Sequence, residues 1–167
     1  MRVAILCASD SSFRGTREDL STPTLRGLVE AKGWQVIEAA ILPDDLQEIR
    51  GWLIRACEEL QADLILTTGG TGLGPRDVTP EATQVVIERL VPGIPEAMRA
   101  LTLAKTPYAM LSRGIAGTRG CCLIVNFPGS PKAVRECFEA VEQALSHAVD
   151  VIRGGGDHSS GERDERG

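Results

Sequence analysis

An apolar strand that runs directly into Gly69-Gly70-Thr71-Gly72-Leu73-Gly74 constrains this chain more than any other feature. The strand is the run Leu64-Ile65-Leu66, short and apolar as a buried strand should be. Glycine at this density belongs where backbone must take φ > 0 or come close to another group, most often a phosphate. A helix start follows, with Thr79 as N-cap and Pro80 at the first helical position, where no N–H is needed. The loop between them has free backbone N–H groups to aim at an anion. The hydroxyls of Thr67, Thr68 and Thr71 and the forked guanidinium of Arg76 add donors. Two familiar loops are excluded by spelling. A P-loop requires Gly-Lys-Ser/Thr, and the chain contains no Gly-Lys pair. The G-x-G-x-x-G fingerprint would need glycine where Pro75 or Asp77 stands. A tight structural turn would account for the glycines, but not for Arg76 and Asp77 placed beside them. A local cap or a pair with Arg76 is the plain alternative for Asp77.

Elsewhere strands and helices alternate. Arg2 to Ala8 reads as a first strand, Ser9 to Ser21 as a polar loop, and Thr22 as the cap of a helix ended by Gly33. Trp34 to Ile41 is a second strand. Pro43-Asp44-Asp45 opens a helix whose Leu46, Ile49, Leu53, Ala56 and Leu60 follow helical spacing. After the glycine loop a helix runs from Pro80 to about Leu90, and a further helix runs to about Ala104. Tyr108 to Leu111 reads as a short strand and Cys121 to Asn126 as a firm one. Pro131 to Val151 forms a long helix with Val134, Phe138, Val141, Leu145 and Val149 on one stripe. This alternation predicts an α/β fold with a mostly parallel sheet covered on both faces. Ligands then collect at the carboxyl ends of the strands, where Ser9-Asp10, Asp44, the glycine loop and Pro128-Gly129-Ser130 all fall. Residues 1–152 form one domain. Gly154-Gly155-Gly156 opens a polar tail, 153–167, without an apolar anchor, which reads as disordered.

Composition narrows the class of function. At 167 residues, 43% hydrophobic and 25% charged, the chain suits a single soluble domain. A net charge of −5 argues against a general nucleic-acid surface. No apolar run approaches the ~20 residues of a membrane span, and the apolar stretch behind Met1-Arg2 is too short for a signal peptide. Of the 18 basic residues only Lys32, Lys105 and Lys132 are lysine. The five cysteines include no C-x-x-C and read as buried free thiols of a reducing cytoplasm. Adjacent Cys121 and Cys122 should point to opposite faces of their strand. His147 reads as a helix-surface residue and His158 falls in the tail.

Three segments carry a family resemblance: Thr67 to Thr83, Met110-Leu111-Ser112-Arg113-Gly114 followed by Gly117 to Gly120, and Ile124-Val125-Asn126-Phe127-Pro128-Gly129-Ser130-Pro131-Lys132. In this order they resemble the signatures of the molybdopterin adenylyltransferase family, that of the Mog-type bacterial enzymes and the gephyrin G-domain, over roughly Arg2 to Ile152. The resemblance implies a three-layer α/β/α sandwich. It also implies a role in molybdenum cofactor biosynthesis, in which the terminal phosphate of molybdopterin attacks the α-phosphate of ATP to give adenylyl-molybdopterin and pyrophosphate.

By the same resemblance Asp44 and Asp77 are catalytic and hold Mg²⁺. The nucleotide and phosphate fall to Thr68, Gly69, Gly70, Thr71, Gly72, Pro128, Gly129 and Ser130. Molybdopterin falls to Ser9, Asp10, Arg76, Ser112 and Arg113. Whether Asp44 or its neighbour Asp45 faces the metal stays open. Two carboxylates beside a triphosphate repel it unless a divalent cation lies between them. Lys132, a cation in the first turn of a helix, hints at an anion nearby. The family further implies a cytoplasmic homo-oligomer, a trimer or a hexamer, and hand-over to a molybdenum-insertion protein. A molybdopterin-binding paralogue without catalysis and a nucleotide hydrolase of the competence-damage type remain alternative readings on the same fold.

Overall fold

β1 (Arg2–Ala8) is buried along all but its first residue, because it lies inside a sheet that helices cover on both faces. The computed structural model describes residues 1–155. From residue 156 the predicted tail, with His158, lies outside the described residues. α1 (Asp10–Phe13), α2 (Ser21–Ala31), β2 (Gln35–Leu42), α3 (Leu46–Glu58), β3 (Leu64–Thr68) and α4 (Thr79–Gln84) follow. The second half contains β4 (Arg89–Leu90), α5 (Gly93–Leu103), a 3-10 turn (Pro107–Leu111), β5 (Ala116–Arg119), β6 (Cys122–Phe127) and α6 (Pro131–Ile152).

The six strands lie in the order β2-β1-β3-β6-β5-β4. β2, β1, β3 and β6 are parallel, and β5 runs antiparallel to both its neighbours. Side chains alternate between the two faces with the strand period of two. Val3, Ile5, Leu64, Leu66 and Val125 pack against Leu25 of α2, Met98 of α5 and Phe138 of α6. Ala4, Leu6, Ile65 and Ile124 pack against Ile49, Trp52 and Leu53 of α3 and Ala82 of α4. The result is the predicted three-layer α/β sandwich. Each fully buried Leu, Ile or Phe contributes roughly 1.5–3 kcal/mol over leaving it exposed. Among the described residues no helix is long and apolar enough to cross a membrane.

Several local expectations are corrected. Tyr108 to Leu111 is a 3-10 turn, capped by the Thr106 hydroxyl and started by Pro107. The helix predicted from Pro80 to Leu90 stops at Gln84, and the chain enters the edge strand β4. The polar loop from Ser9 to Ser21 contains α1, with the Ser9 hydroxyl accepting from the Ser12 N–H at 3.2 Å. α2 is capped by Asp19, whose Oδ1 accepts from Ser21 and Thr22 N–H at 2.9 and 3.0 Å. Thr22 therefore sits inside the first turn. Thr79 is likewise the first residue of α4 rather than its cap. All five cysteines are free thiols; Cys122 is buried in β6, but Cys121 is exposed in the turn before that strand rather than on its opposite face, and Cys57 is half-buried, so not every thiol is buried. His147 is exposed on α6.

Candidate active site

Because β1, β2, β3 and β6 are parallel, their following loops meet at one end of the sheet. Contacts among those loops are close. The Thr68 hydroxyl donates to the Pro128 carbonyl at 2.7 Å, and the Ser21 hydroxyl to the Gly129 carbonyl at 2.6 Å. Gly69 has φ +86°, and a Cβ there would stand 2.3 Å from the Ala8 carbonyl oxygen. A Cβ on Gly129 would stand 3.3 Å from the Gly69 Cα. The glycines therefore let three loops pack backbone to backbone.

Asp44 ends the segment after β2. Its Oδ2 accepts from the Asp10 N–H at 2.8 Å, while its own N–H donates to Asp10 Oδ1 at 3.1 Å. Its Oδ1 is buried and has no hydrogen-bond partner. Asp45, by contrast, caps α3, accepting from Gln47 and Glu48 N–H at 2.9 and 3.0 Å. The two neighbours thus have separate roles, and the carboxylate that lines the cleft is Asp44. Burial pushes the Asp44 carboxyl above the usual aspartate range; the charges of Asp10 and Asp77 push the same way, against the Asp10 N–H.

Asp77 neither caps α4 nor pairs with Arg76. Its Oδ2 accepts from the Gly74 N–H at 2.8 Å, folding the carboxylate back over the loop. Side chains at Gly72 or Gly74 would meet that oxygen at 2.9 and 2.8 Å. Arg76 reaches instead across the mouth to Asp10, with Nε and Nη2 at 3.0 and 3.1 Å from its two oxygens. This fork holds the Asp10 carboxyl below its usual range. Cys7, at the cleft base, has its thiol pushed up to about 12, chiefly by burial, so it stays protonated.

Arg113 lies behind the loop. Its Nε donates to the Gly72 carbonyl and its Nη2 to the Asp77 carbonyl, each at 2.6 Å. Nη1 pairs with Glu81 of α4. The Arg113 N–H adds a bond to the Thr71 carbonyl at 3.0 Å. Ser112 stands at the rim, where its hydroxyl faces the Gly114 N–H at 3.5 Å. Ser130 caps α6 through the Ala133 N–H at 3.1 Å. Lys132 is exposed in the first turn of that helix.

Ser9, Asp44, Asp77, Ser112 and Ser130 line adjoining depressions, whereas Asp10, Arg76 and Arg113 do not line them. A polar cleft of about 420 Å³ contains Ser9, Asp44, Thr68, Gly69, Gly70, Asp77, Gly129 and Ser130. An open trough continues from Gly69, Gly70 and Asp77 past Thr71, Gly72 and Pro128 to Ser112. Sequence reasoning missed Glu81, Asn126 and Thr83, which fix the frame. Asn126 Nδ2 donates to Thr67 and Thr83 hydroxyls at 3.0 and 2.9 Å. Asn126 lies inside a recognised motif, but nothing local marks its partners. A site with donors from a glycine loop, a free carboxylate oxygen and a second carboxylate suits a polyphosphate with a divalent cation.

Comparison with known proteins points the same way. A family described as "Probable molybdopterin binding domain" matches residues 4–147. The chain is 42% identical over 156 residues to the molybdopterin adenylyltransferase of Helicobacter pylori, covering 92% of this chain and 89% of that protein. The enzyme of the same name from Escherichia coli K12 is 37% identical over 151 residues, covering 89% and 77%. Among solved structures, the molybdopterin biosynthesis enzyme MoaB from Thermus thermophilus superposes with a TM-score of 0.87 at 47% identity, covering 92% of this chain and 96% of that one.

Proposed function

The chain belongs to the molybdopterin-binding domain family, and from that premise we propose that it transfers the adenylyl group of ATP to the terminal phosphate of molybdopterin. The reaction forms a bond from a molybdopterin phosphate oxygen to the α-phosphorus of ATP. The bond from that phosphorus to the bridging oxygen breaks, and pyrophosphate leaves. The observation that carries this reading is the unpartnered, buried Oδ1 of Asp44, in the same cleft as Asp77 and the glycine loop.

Positioning and charge stabilisation supply most of the catalysis in such transfers. The backbone around Gly69, Gly70, Thr71 and Gly72, with Thr68, would cradle phosphate oxygens, and Pro128, Gly129 and Ser130 would close the other wall. Ser9, Asp10, Arg76 and Ser112 would face molybdopterin from the rim. Arg113 would serve that substrate by holding the loop.

Mg²⁺ fits this donor set. Asp44 offers a carboxylate oxygen without a partner, and Mg²⁺ is commonly held by one or two carboxylates together with substrate phosphates. Phosphate oxygens and water would complete the shell. Asp44 and Asp77 would hold the ion, which would offset the charge of the phosphates and of the leaving pyrophosphate.

The exposed apolar residues Leu101, Leu103, Tyr108, Met110 and Leu111, on α5 and the 3-10 turn, support the homo-oligomer that the family implies. Sedimentation would report its size. The test of function is incubation with molybdopterin, ATP and Mg²⁺. Adenylated pterin and pyrophosphate are expected in equal amounts. Binding of molybdopterin without pyrophosphate release would reduce the protein to a carrier. AMP formed without molybdopterin would make it a hydrolase.

A further inference from the structure

The sheet face covered by α3 and α4 contains two of the five cysteines, and the phosphate chemistry above uses neither. Cys122 opens β6 and is 2% exposed. Cys57 lies in the last turn of α3 and is half-buried, packed on the same apolar cluster that holds Cys122. Far apart in sequence, the two thiols form a hydrogen-bonded pair. Cys122 Sγ also lies 3.6 Å from the Leu123 carbonyl oxygen.

The two members of the pair are not equivalent. Arg119 of β5 stands beside Cys57. Its guanidinium is fixed there by the Val86 carbonyl, 3.0 Å from Nη1, and by one oxygen of Glu58, 3.1 and 2.6 Å from Nε and Nη2. The Cys122 thiol first, and the Arg119 charge with it, hold the Cys57 thiol below its usual range against the effect of burial. Cys57 and burial push the Cys122 thiol up. The more accessible sulfur is therefore the one that ionises, and the thiolate is the reactive form. Cys7 and Cys137 are buried and pushed up to about 12 and about 11, chiefly by that burial, so they stay inert.

An activated thiol with a second thiol against it is the arrangement from which oxidation gives a disulfide rather than an acid of sulfur. We infer that Cys57 and Cys122 are a redox modification site, in which Cys57 reacts with hydrogen peroxide and Cys122 resolves the product into a disulfide joining α3 to β6. The Cys57 thiolate attacks one peroxide oxygen and the O–O bond breaks. Sulfur becomes a sulfenic acid, and the departing hydroxide takes up the proton that Cys57 lost. Cys122 Sγ then attacks the oxidised sulfur, and its own proton leaves with the hydroxyl as a second water. One peroxide and two thiols give one disulfide and two waters. The bridge closes a long loop that contains β3, the glycine loop, α4 and α5, and closing such a loop stabilises the fold by restricting the unfolded chain.

The test uses the full chain with Cys121→Ser, which removes the exposed thiol next to Cys122. The protein is treated with equimolar hydrogen peroxide and mapped by mass spectrometry without reduction. It should lose two hydrogens, with the segment containing Cys57 joined to the segment containing Cys122, and dithiothreitol should reverse the change. The bridged form should melt at a higher temperature than the reduced one. Adding Cys122→Ser should stop the reaction at a sulfenic acid on Cys57, captured by dimedone, and adding Cys57→Ser should leave Cys122 unoxidised. The protein with Cys121→Ser alone decides the matter if either double variant fails to fold. A disulfide between other cysteines, oxygen added to Cys57 without a bridge, or both thiols left reduced overturns the inference. Dimedone captured by Cys122 while Cys57 is present would reverse the two roles and overturn it as well. A bridged form that melts below the reduced one would show that the thiols must be pulled together, against a pair already in place.

Discussion

Asp10 and Asp44 exchange hydrogen bonds, each backbone N–H donating to the carboxylate of the other, at 2.8 and 3.1 Å. Arg76 closes on Asp10 from the glycine loop. The loops after β1, β2 and β3 are thereby joined through side chains at the point where Asp44 faces the cleft. The arrangement leaves one oxygen of Asp44 engaged and the other free, which is what a carboxylate needs to be both fixed in direction and able to take a ligand.

Asp44→Asn should therefore fold and fail. The amide oxygen can still accept from the Asp10 N–H, so thermal stability should stay within about 2 °C of wild type. The negative charge at the free position is lost, and adenylyl transfer should fall at least about a hundredfold, as for other preorganised charge-stabilising groups. Pyrophosphate release and a thermal melt are the two measurements. Activity near wild type would remove Asp44 from the chemistry. Asp77→Ala should lose turnover as severely, with a small additional drop in stability because the Gly74 N–H loses its acceptor.

Arg113 makes a different expectation testable. Its hydrogen bonds and its ion pair go to Gly72, Asp77, Glu81 and Thr71, so the side chain braces the loop from behind. Lysine has one point charge where arginine has a planar fork. Arg113→Lys should speed amide hydrogen exchange across Gly72 to Val78 in the protein without substrates, and weaken both substrates together. Unchanged exchange with loss of molybdopterin affinity alone would make Arg113 a direct ligand instead.

Much of the site is legible in the sequence because its chemistry sits in contiguous motifs that end parallel strands. The glycine loop, Asp44, Asp77 and Pro128-Gly129-Ser130 all come from such loops, and they share adjoining depressions with Ser112, which follows the 3-10 turn. What escapes is long-range. Whether Asp44 or Asp45 turns inward depends on Asp10, far away in sequence. β5 gives no local signal because Ala116-Gly117-Thr118-Arg119 has weak strand character; Gly117 is needed there because a Cβ would stand 2.6 Å from the Arg89 carbonyl oxygen. The helix predicted through Leu90 is too long because Val85, Val86 and Ile87 continue an apolar pattern. Their β-branched side chains feed an edge strand instead.

Away from the site, Glu38 on β2 gives a pH-dependent prediction. It accepts from Trp52 Nε1 at 2.9 Å and from Arg55 Nη1 at 3.2 Å. The Arg55 guanidinium first, and Trp52 next, hold its carboxyl below the usual range. A carboxyl whose folded value is lowered stabilises the fold fully above its unfolded value, and that stability is lost as pH falls through the folded value. Wild type should exceed Glu38→Gln by about 0.5–1.5 kcal/mol near neutrality. The gap should narrow steadily once the pH drops below the ordinary glutamate range. Urea unfolding across that range measures it, and a gap independent of pH would mean the pair contributes through shape rather than charge.

Two glycines should respond in opposite directions to the same substitution. Gly27 is exposed within α2, and a Cβ there meets nothing within 4 Å. Alanine would lower the entropy of the unfolded chain without strain, so Gly27→Ala should stabilise by about 0.4–1 kcal/mol. Gly69 has φ +86°, and its Cβ would collide with the Ala8 carbonyl oxygen at 2.3 Å. Backbone, unlike a side-chain tip, cannot turn aside, so β1 and the glycine loop must separate. Gly69→Ala should cost roughly 1–3 kcal/mol and lose substrate binding, because the same movement widens the cleft beside Asp44. Parallel urea titrations of the two variants give the comparison, and a Gly69→Ala protein as stable as Gly27→Ala would show that the close approach of β1 to the loop is not required.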